Sequence, residues 1–120
     1  MNSWIGVDLD GTLAYYNGWK NGDIGQPIKP MQEKVIKWLK EGKDVRIFTA
    51  RVSEINTQGV QRSIEPIRKK IEEWCLNHLG KVLPITNIKD YGMVELWDDR
   101  AVQVIPNTGM TIEEFIKNAS

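Results

Sequence analysis

The chain has 120 residues, with 16 basic and 16 acidic side chains, a formal net charge of zero and 41% hydrophobic residues. That size and balance describe one folded domain, too short for two, too apolar for a disordered segment and, at 27% charged residues, too polar for a membrane protein. No window approaches the ~20 consecutive apolar residues that cross a bilayer, and the start MNSWIGVDLD lacks a basic region followed by an apolar run, so a cytoplasmic protein with no membrane partner is expected.

The hydrophobic pattern alternates between strand and helix. Trp4 to Val7 is a short apolar run ending in carboxylates, which suits a buried parallel strand with an exposed end. From Pro30 to Glu41 the residues Met31, Val35, Trp38 and Leu39 recur at helical spacing, with Pro30 in the first turn and Gly42 as a stop. Val45 to Phe48 reads as a second strand ending at Thr49. Ile64, Ile67, Ile71, Trp74, Cys75 and Leu79 mark a longer helix closed by Gly80. Trp38 and Trp74 read as core packing on these helices. Val82 to Ile85, Val94 to Trp97 and Val102 to Ile105 are three further strand candidates, with Glu95 suggesting an edge position or a buried pair. Thr111 and Glu114 form a capping box for a last helix through Lys117. Strands separated by helices imply a doubly wound α/β domain, a mainly parallel sheet with helices on both faces.

Cys75 is the one cysteine, so neither an intramolecular disulfide nor a cysteine-rich zinc site is open to the chain, and a lone thiol fits a reducing compartment. The zero net charge argues against bulk nucleic acid as the main partner, yet the charge is uneven: Lys29 to Lys70 holds eleven basic residues against five acidic ones. Such an excess is either the solvated face of helices or an electropositive face for an anionic substrate. His78, late on a helix, suits the C-terminal dipole and is given no catalytic role.

In parallel sheets the binding crevice lies at the carboxyl ends of the strands. There the sequence offers Asp8, Asp10, Gly11 and Thr12 after the first strand, Thr49, Ala50 and Arg51 after the second, and Asp98, Asp99 and Arg100 after the Val94 strand, with Lys89 in the loop before it. Clustered carboxylates beside hydroxyl and cationic groups suit phosphoryl transfer, in which repulsion between an anionic nucleophile and an anionic phosphorus centre must be offset. Aspartates are the hard oxygen ligands that Mg²⁺ prefers, so Asp8, Asp10, Asp98 and Asp99 are candidate metal ligands. Thr49, Ala50, Arg51 and Lys89 are candidates for holding the phosphate oxygens. Asp8 and Asp10, one residue apart on an extended segment, lie on one side of it. One can attack while the other moves protons.

The segment DLDGTL, Asp8 to Leu13, resembles the first signature of the haloacid dehalogenase-like phosphohydrolase superfamily, DxDGT after the first strand. The other signatures follow in order: Thr49 at the end of a second strand, Lys89 ahead of the last motif, and the pair Asp98 and Asp99. The resemblance covers nearly the whole chain. It implies a magnesium-dependent phosphatase in which Asp8 is the nucleophile forming an aspartyl-phosphate, Asp10 the general acid/base, Thr49 and Lys89 the phosphate holders and Asp98 a magnesium ligand. Asp99 is then a second ligand or a partner through water, and the Asp10 carbonyl a further metal contact.

Members of that superfamily commonly carry a cap domain inserted after the first motif or between the second and third. Here residues 14 to 30 offer only a glycine-containing flap, and Val52 to Gln61 only a loop. A capless member is therefore expected, acting on a large substrate or closed by a second copy in a homo-oligomer. Tyr15, Tyr16 and Trp19 in the flap either stack on a base or sugar or anchor the flap to the domain. The expected substrate is the phosphate of a nucleotide or nucleic-acid end, with a small phosphorylated metabolite as the alternative and a non-hydrolytic binding or regulatory protein as the rival from another class.

Overall fold

The chain, seen here as a computed structural model, is described for residues 3–16, 18 and 22–119; Trp19 of the flap lies outside the described residues. Its elements are β1 (Trp4–Val7), α1 (Lys29–Lys40), β2 (Asp44–Phe48), α2 (Glu65–Leu79), β3 (Ile85–Thr86), β4 (Met93–Trp97) and α3 (Ile112–Ala119), with a single 3₁₀ turn at Ala50–Val52. The strands form one sheet in the order β3-β2-β1-β4, and every pairing is parallel. The α/β architecture expected from the alternating pattern is thus present. Among the described residues no helix is long and apolar enough to cross a membrane.

β1 lies between β2 and β4, and all four of its residues are buried. Its alternate residues serve different faces. Ile5 and Val7 join Val45 and Ile47 of β2, Met31 and Val35 of α1, and Ile71, Trp74, Cys75 and Leu79 of α2 in one apolar core. The chain steps from β1 to β2 to β3 in one direction, and right-handed crossovers in one direction put successive helices on one side. Accordingly α1 and α2 touch each other and share that core. The expectation of helices on both faces is corrected: the turn back from β3 to β4 has only residues 87–92, too few for a covering helix, and α3 contributes no buried residue.

The second face is closed instead by side chains around Trp4, which is 1% exposed. The Arg46 guanidinium lies 4.7 Å from the centre of its ring and is itself held by Asp44, with Nη2 donating to Oδ2 at 2.9 Å. The indole Nε1 donates to Asp90 Oδ1 at 2.7 Å, and Asp90 also accepts from the Gly92 amide at 2.8 Å. These bonds hold the Asp90 carboxyl below the usual carboxylate range, with the indole bond the largest cause.

Two strand expectations change and one is met. Pairing of the third strand starts at the Pro84 carbonyl, which accepts from the Ile47 amide at 2.9 Å, so β3 covers Ile85–Thr86 and not Val82 to Ile85; Pro84 has no amide with which to begin a ladder. Val102 to Ile105 forms no strand and leads into a turn, where the Ile105 amide donates to Met110 at 2.8 Å and Asn107 takes a φ of 64°. Glu95 sits at an edge, because β4 ends the sheet, and its Oε2 accepts from Trp97 Nε1 at 2.9 Å. The helix ends follow expectation: Gly80 closes α2 at φ 78°, and Thr111 and Glu114 exchange both capping-box bonds at 3.1 Å.

A carboxyl whose folded value lies below its unfolded one stabilises above the unfolded value, and that stabilisation is lost as pH falls through the folded value. Asp90→Asn keeps an acceptor for Trp4 and Gly92 but removes the charge. Urea midpoints should therefore drop for the variant near pH 6, and the gap from wild type should close below about pH 4, the region of an ordinary aspartate.

Candidate functional site

Because the strands are parallel, the segments that leave β1, β2 and β4 emerge together. They line a cavity of about 260 Å³ bounded by Asp8, Asp10, Tyr16, Phe48, Thr49, Ala50, Arg51, Asp98, Asp99 and Arg100. The Asp8 amide continues the sheet by donating to the Trp97 carbonyl at 2.9 Å, which fixes the first carboxylate beside the last pair. One carboxylate oxygen from each of Asp8, Asp98 and Asp99 lies within 4.8 Å of the others.

Asp10, counted with those ligands on sequence grounds, goes elsewhere. Both of its oxygens accept from Arg51, Oδ2 from Nε at 2.7 Å and Oδ1 from Nη2 at 2.8 Å. Two parallel bonds of this kind are the strongest arrangement available to an arginine and a carboxylate. Arg51 is only 3% exposed, so it is neither a surface group nor open to a substrate from all sides. Its Nη1 donates to the Gly22 carbonyl at 2.9 Å and its Nη2 to the Asp23 carbonyl at 3.2 Å. One guanidinium thus joins the exit of β1, the exit of β2 and the returning limb of the flap.

The two limbs of the flap pair with each other, the Tyr15 amide donating to Gln26 at 2.9 Å and the Ile28 amide to Leu13 at 2.7 Å. Gly25 permits this approach, since a Cβ there would stand 2.0 Å from the Tyr15 carbonyl oxygen. Trp74 does more than pack: its Nε1 donates to the Gly25 carbonyl at 2.9 Å and ties the flap to α2. Tyr16 faces the cavity, whereas Tyr15 is exposed and does not line it.

Two residues outside the expected set complete the carboxylate corner. Thr12 Oγ1 lies 3.3 Å from both Asp8 Oδ2 and Asp99 Oδ1 and accepts from the Asp99 amide at 3.0 Å, bridging the two motifs. Gly11 has φ 90°, and a Cβ on it would stand 2.6 Å from Asp99 Oδ2. A threonine and a glycine next to an aspartate read as ordinary turn chemistry, so only the fold reveals their contacts. Thr49 is 3% exposed, and its Oγ1 accepts from the Arg51 amide at 3.2 Å. Lys89 is not brought to this cavity. It lies exposed in the β3–β4 crossover, one residue before Asp90, which binds the first residue of β1 at the other end of that strand.

The electrostatics of the corner are uncompensated. Asp8 is pushed up to about 7, first by burial, then by the charge of Asp98 and by a hydrogen bond and charge from Asp99, with Thr12 acting in the opposite sense. Three acids held this close suit a hard divalent cation, which would relieve the repulsion that raises Asp8.

No protein-family model and no curated protein matches the chain. A solved structure of a conserved protein from Bacteroides thetaiotaomicron is similar to it, with a TM-score of 0.58 and 23% identity over 100% of this chain and 93% of the other. That likeness extends the α/β fold over the full chain.

Arg51→Met would strand the half-buried Asp10 carboxylate and two flap carbonyls, so unfolding in urea should show a loss of about 3–5 kcal/mol. Arg51→Lys should recover only part of it, because an ammonium cannot reproduce the paired bonds to Asp10.

Proposed function

We propose that the protein is a magnesium-dependent phosphomonoesterase of the capless haloacid dehalogenase-like kind. The observation that carries this reading is the gathering of Asp8, Asp98 and Asp99 at the end of the central parallel strand, beside a separately held Asp10 and a buried Thr49. A binding module has no need of a nucleophile and a proton carrier together. The short paired flap and the loop after Val52 support the capless assignment.

In this reading an Asp8 oxygen attacks phosphorus and the ester P–O bond breaks, with Asp10 as the general acid that supplies the proton of the leaving oxygen. Asp10 then takes a proton from water as that water attacks the phosphoryl group. The bond to Asp8 breaks and inorganic phosphate leaves. Each Asp10 oxygen bound by Arg51 keeps a lone pair for this exchange, and Arg51 holds the carboxyl in place throughout. The Thr49 hydroxyl, which accepts from Arg51, keeps its own hydrogen for a phosphate oxygen. With Arg51 committed to Asp10 and the flap, Arg100 is the lining cation for the substrate phosphate, a role assigned to Lys89 on sequence grounds. Mg²⁺ held by Asp8, Asp98 and Asp99 would supply Lewis-acid neutralisation of phosphate charge. The substrate favoured is a nucleotide or nucleic-acid end. The alternative is a small phosphorylated metabolite in a site closed by a homo-oligomer.

Incubation with a generic aryl phosphate tests this reading. Turnover should require Mg²⁺ and fall on the order of 10³-fold or more in Asp8→Asn; metal-independent turnover, or equal turnover in the variant, overturns it. Asp8 lies near 7 without metal, so a cation must displace a proton at lower pH. Calorimetric titration with Mg²⁺ should show proton release at pH 6 and an apparent affinity that weakens by up to about tenfold per pH unit below 7.

A further inference from the structure

A second and larger cavity, about 750 Å³, opens beside the first. The two share the edge of the sheet. Thr49, which lines the first, donates its amide to the carbonyl of Thr86, which lines the second, at 2.9 Å, so the strand ends that line the two cavities are one strand spacing apart, about 4.8 Å. The 3₁₀ turn between them gives Arg51 to one and Val52 to the other.

We propose that this second cavity receives the nucleoside portion of the substrate whose phosphate lies in the first; the inference rests on the phosphatase reading and names the class of leaving group. Part of its wall is aliphatic, formed by Ile55, Ile64, Ile85 and Ile88 beside Glu54 and Arg68, with Ile55 and Ile88 57% and 68% exposed. Aliphatic surface left open to water favours a ligand with apolar faces. Gln61 and Asn87 lie on the same lining, and carboxamides pair with the donor and acceptor edges of a base. A sugar phosphate offers no face to the isoleucines, and an acyl chain leaves the carboxamides unused. A planar heterocycle on a sugar meets both.

The walls are held in place before any ligand arrives. Arg62 donates from Nε to the Ser53 carbonyl at 2.8 Å and from Nη2 to the Arg51 carbonyl at 2.9 Å, and its amide donates to Glu54 at 2.7 Å. On the opposite wall Thr86 Oγ1 accepts from the Ile88 amide at 3.0 Å, and Arg68 Nη1 donates to the Ile85 carbonyl at 3.2 Å. Little ordering cost is left for binding to meet.

The test compares nucleoside 3′- and 5′-monophosphates with acetyl phosphate, whose leaving group is too small to fill the cavity, in wild type, Ile88→Asp and Ile55→Asp. Both side chains are exposed, so the variants should fold. The ratio of kcat/KM for the better nucleotide to that for acetyl phosphate should fall about tenfold or more in each variant, mainly through KM. An unchanged ratio with active enzyme overturns the cavity assignment and leaves the phosphatase reading standing. If wild type turns over acetyl phosphate or the aryl phosphate but no nucleotide, the cavity assignment is overturned; if it turns over none of these compounds, the phosphatase reading fails, and titration of the four unphosphorylated nucleosides followed by amide chemical shifts decides the cavity alone. Shifts at residues 53–64 and 85–88 that vanish in Ile88→Asp support it; no shifts there overturn it.

Discussion

Arg51 is the buried joint on which the geometry of the carboxylate corner depends. Taking a guanidinium out of water is costly unless its donors are met, and here they are met by two separate stretches of chain: the carboxylate that follows β1, and the two carbonyls of the returning flap limb. Arg51 itself follows β2. Breaking any of these contacts leaves a charge or a polar group without its partner, so the segments favour one common arrangement. The orientation of Asp10 and the placement of the flap therefore depend on the same side chain.

The two carboxylates of the first motif consequently meet different partners. Asp10 has a full cation on both oxygens, whereas Asp8 faces two further acids and the Thr12 hydroxyl. Such different surroundings for neighbours of the same chemical type fit the two roles proposed for them. It arises from the topology: parallel β4 delivers acids to Asp8, and parallel β2 delivers an arginine to Asp10.

Much of this was legible in the residues. Periodicity located α1, α2, β1, β2 and β4 to within a residue or two, since all but the edge strand β4 have buried residues. Strand-end logic brought Asp8, Thr49, Ala50, Arg51, Asp98 and Asp99 to one cavity. What stayed hidden depends on pairings distant in sequence. Nothing local distinguishes an arginine that meets phosphate from one that meets Asp10, 41 residues earlier. Nothing local marks Trp74 as a donor to Gly25, or Trp4 as the centre of a face sealed by Arg46 and Asp90. Val102 to Ile105 shows the converse: four residues of strand composition form no strand where no neighbouring edge takes them up.

The crossover from β3 to β4 has a mechanical consequence. It must travel three strand spacings across the sheet, roughly 14 Å, and fall back by about four residues of strand length, a diagonal of about 19 Å. The seven backbone steps from Thr86 to Met93 reach only about 24 Å when fully drawn out. The segment is therefore nearly taut, with Ile88 on the wall of the larger cavity at one end and Asp90 clamping Trp4 at the other. It acts as a short tether across the back of the sheet, with little slack to let either attachment shift alone.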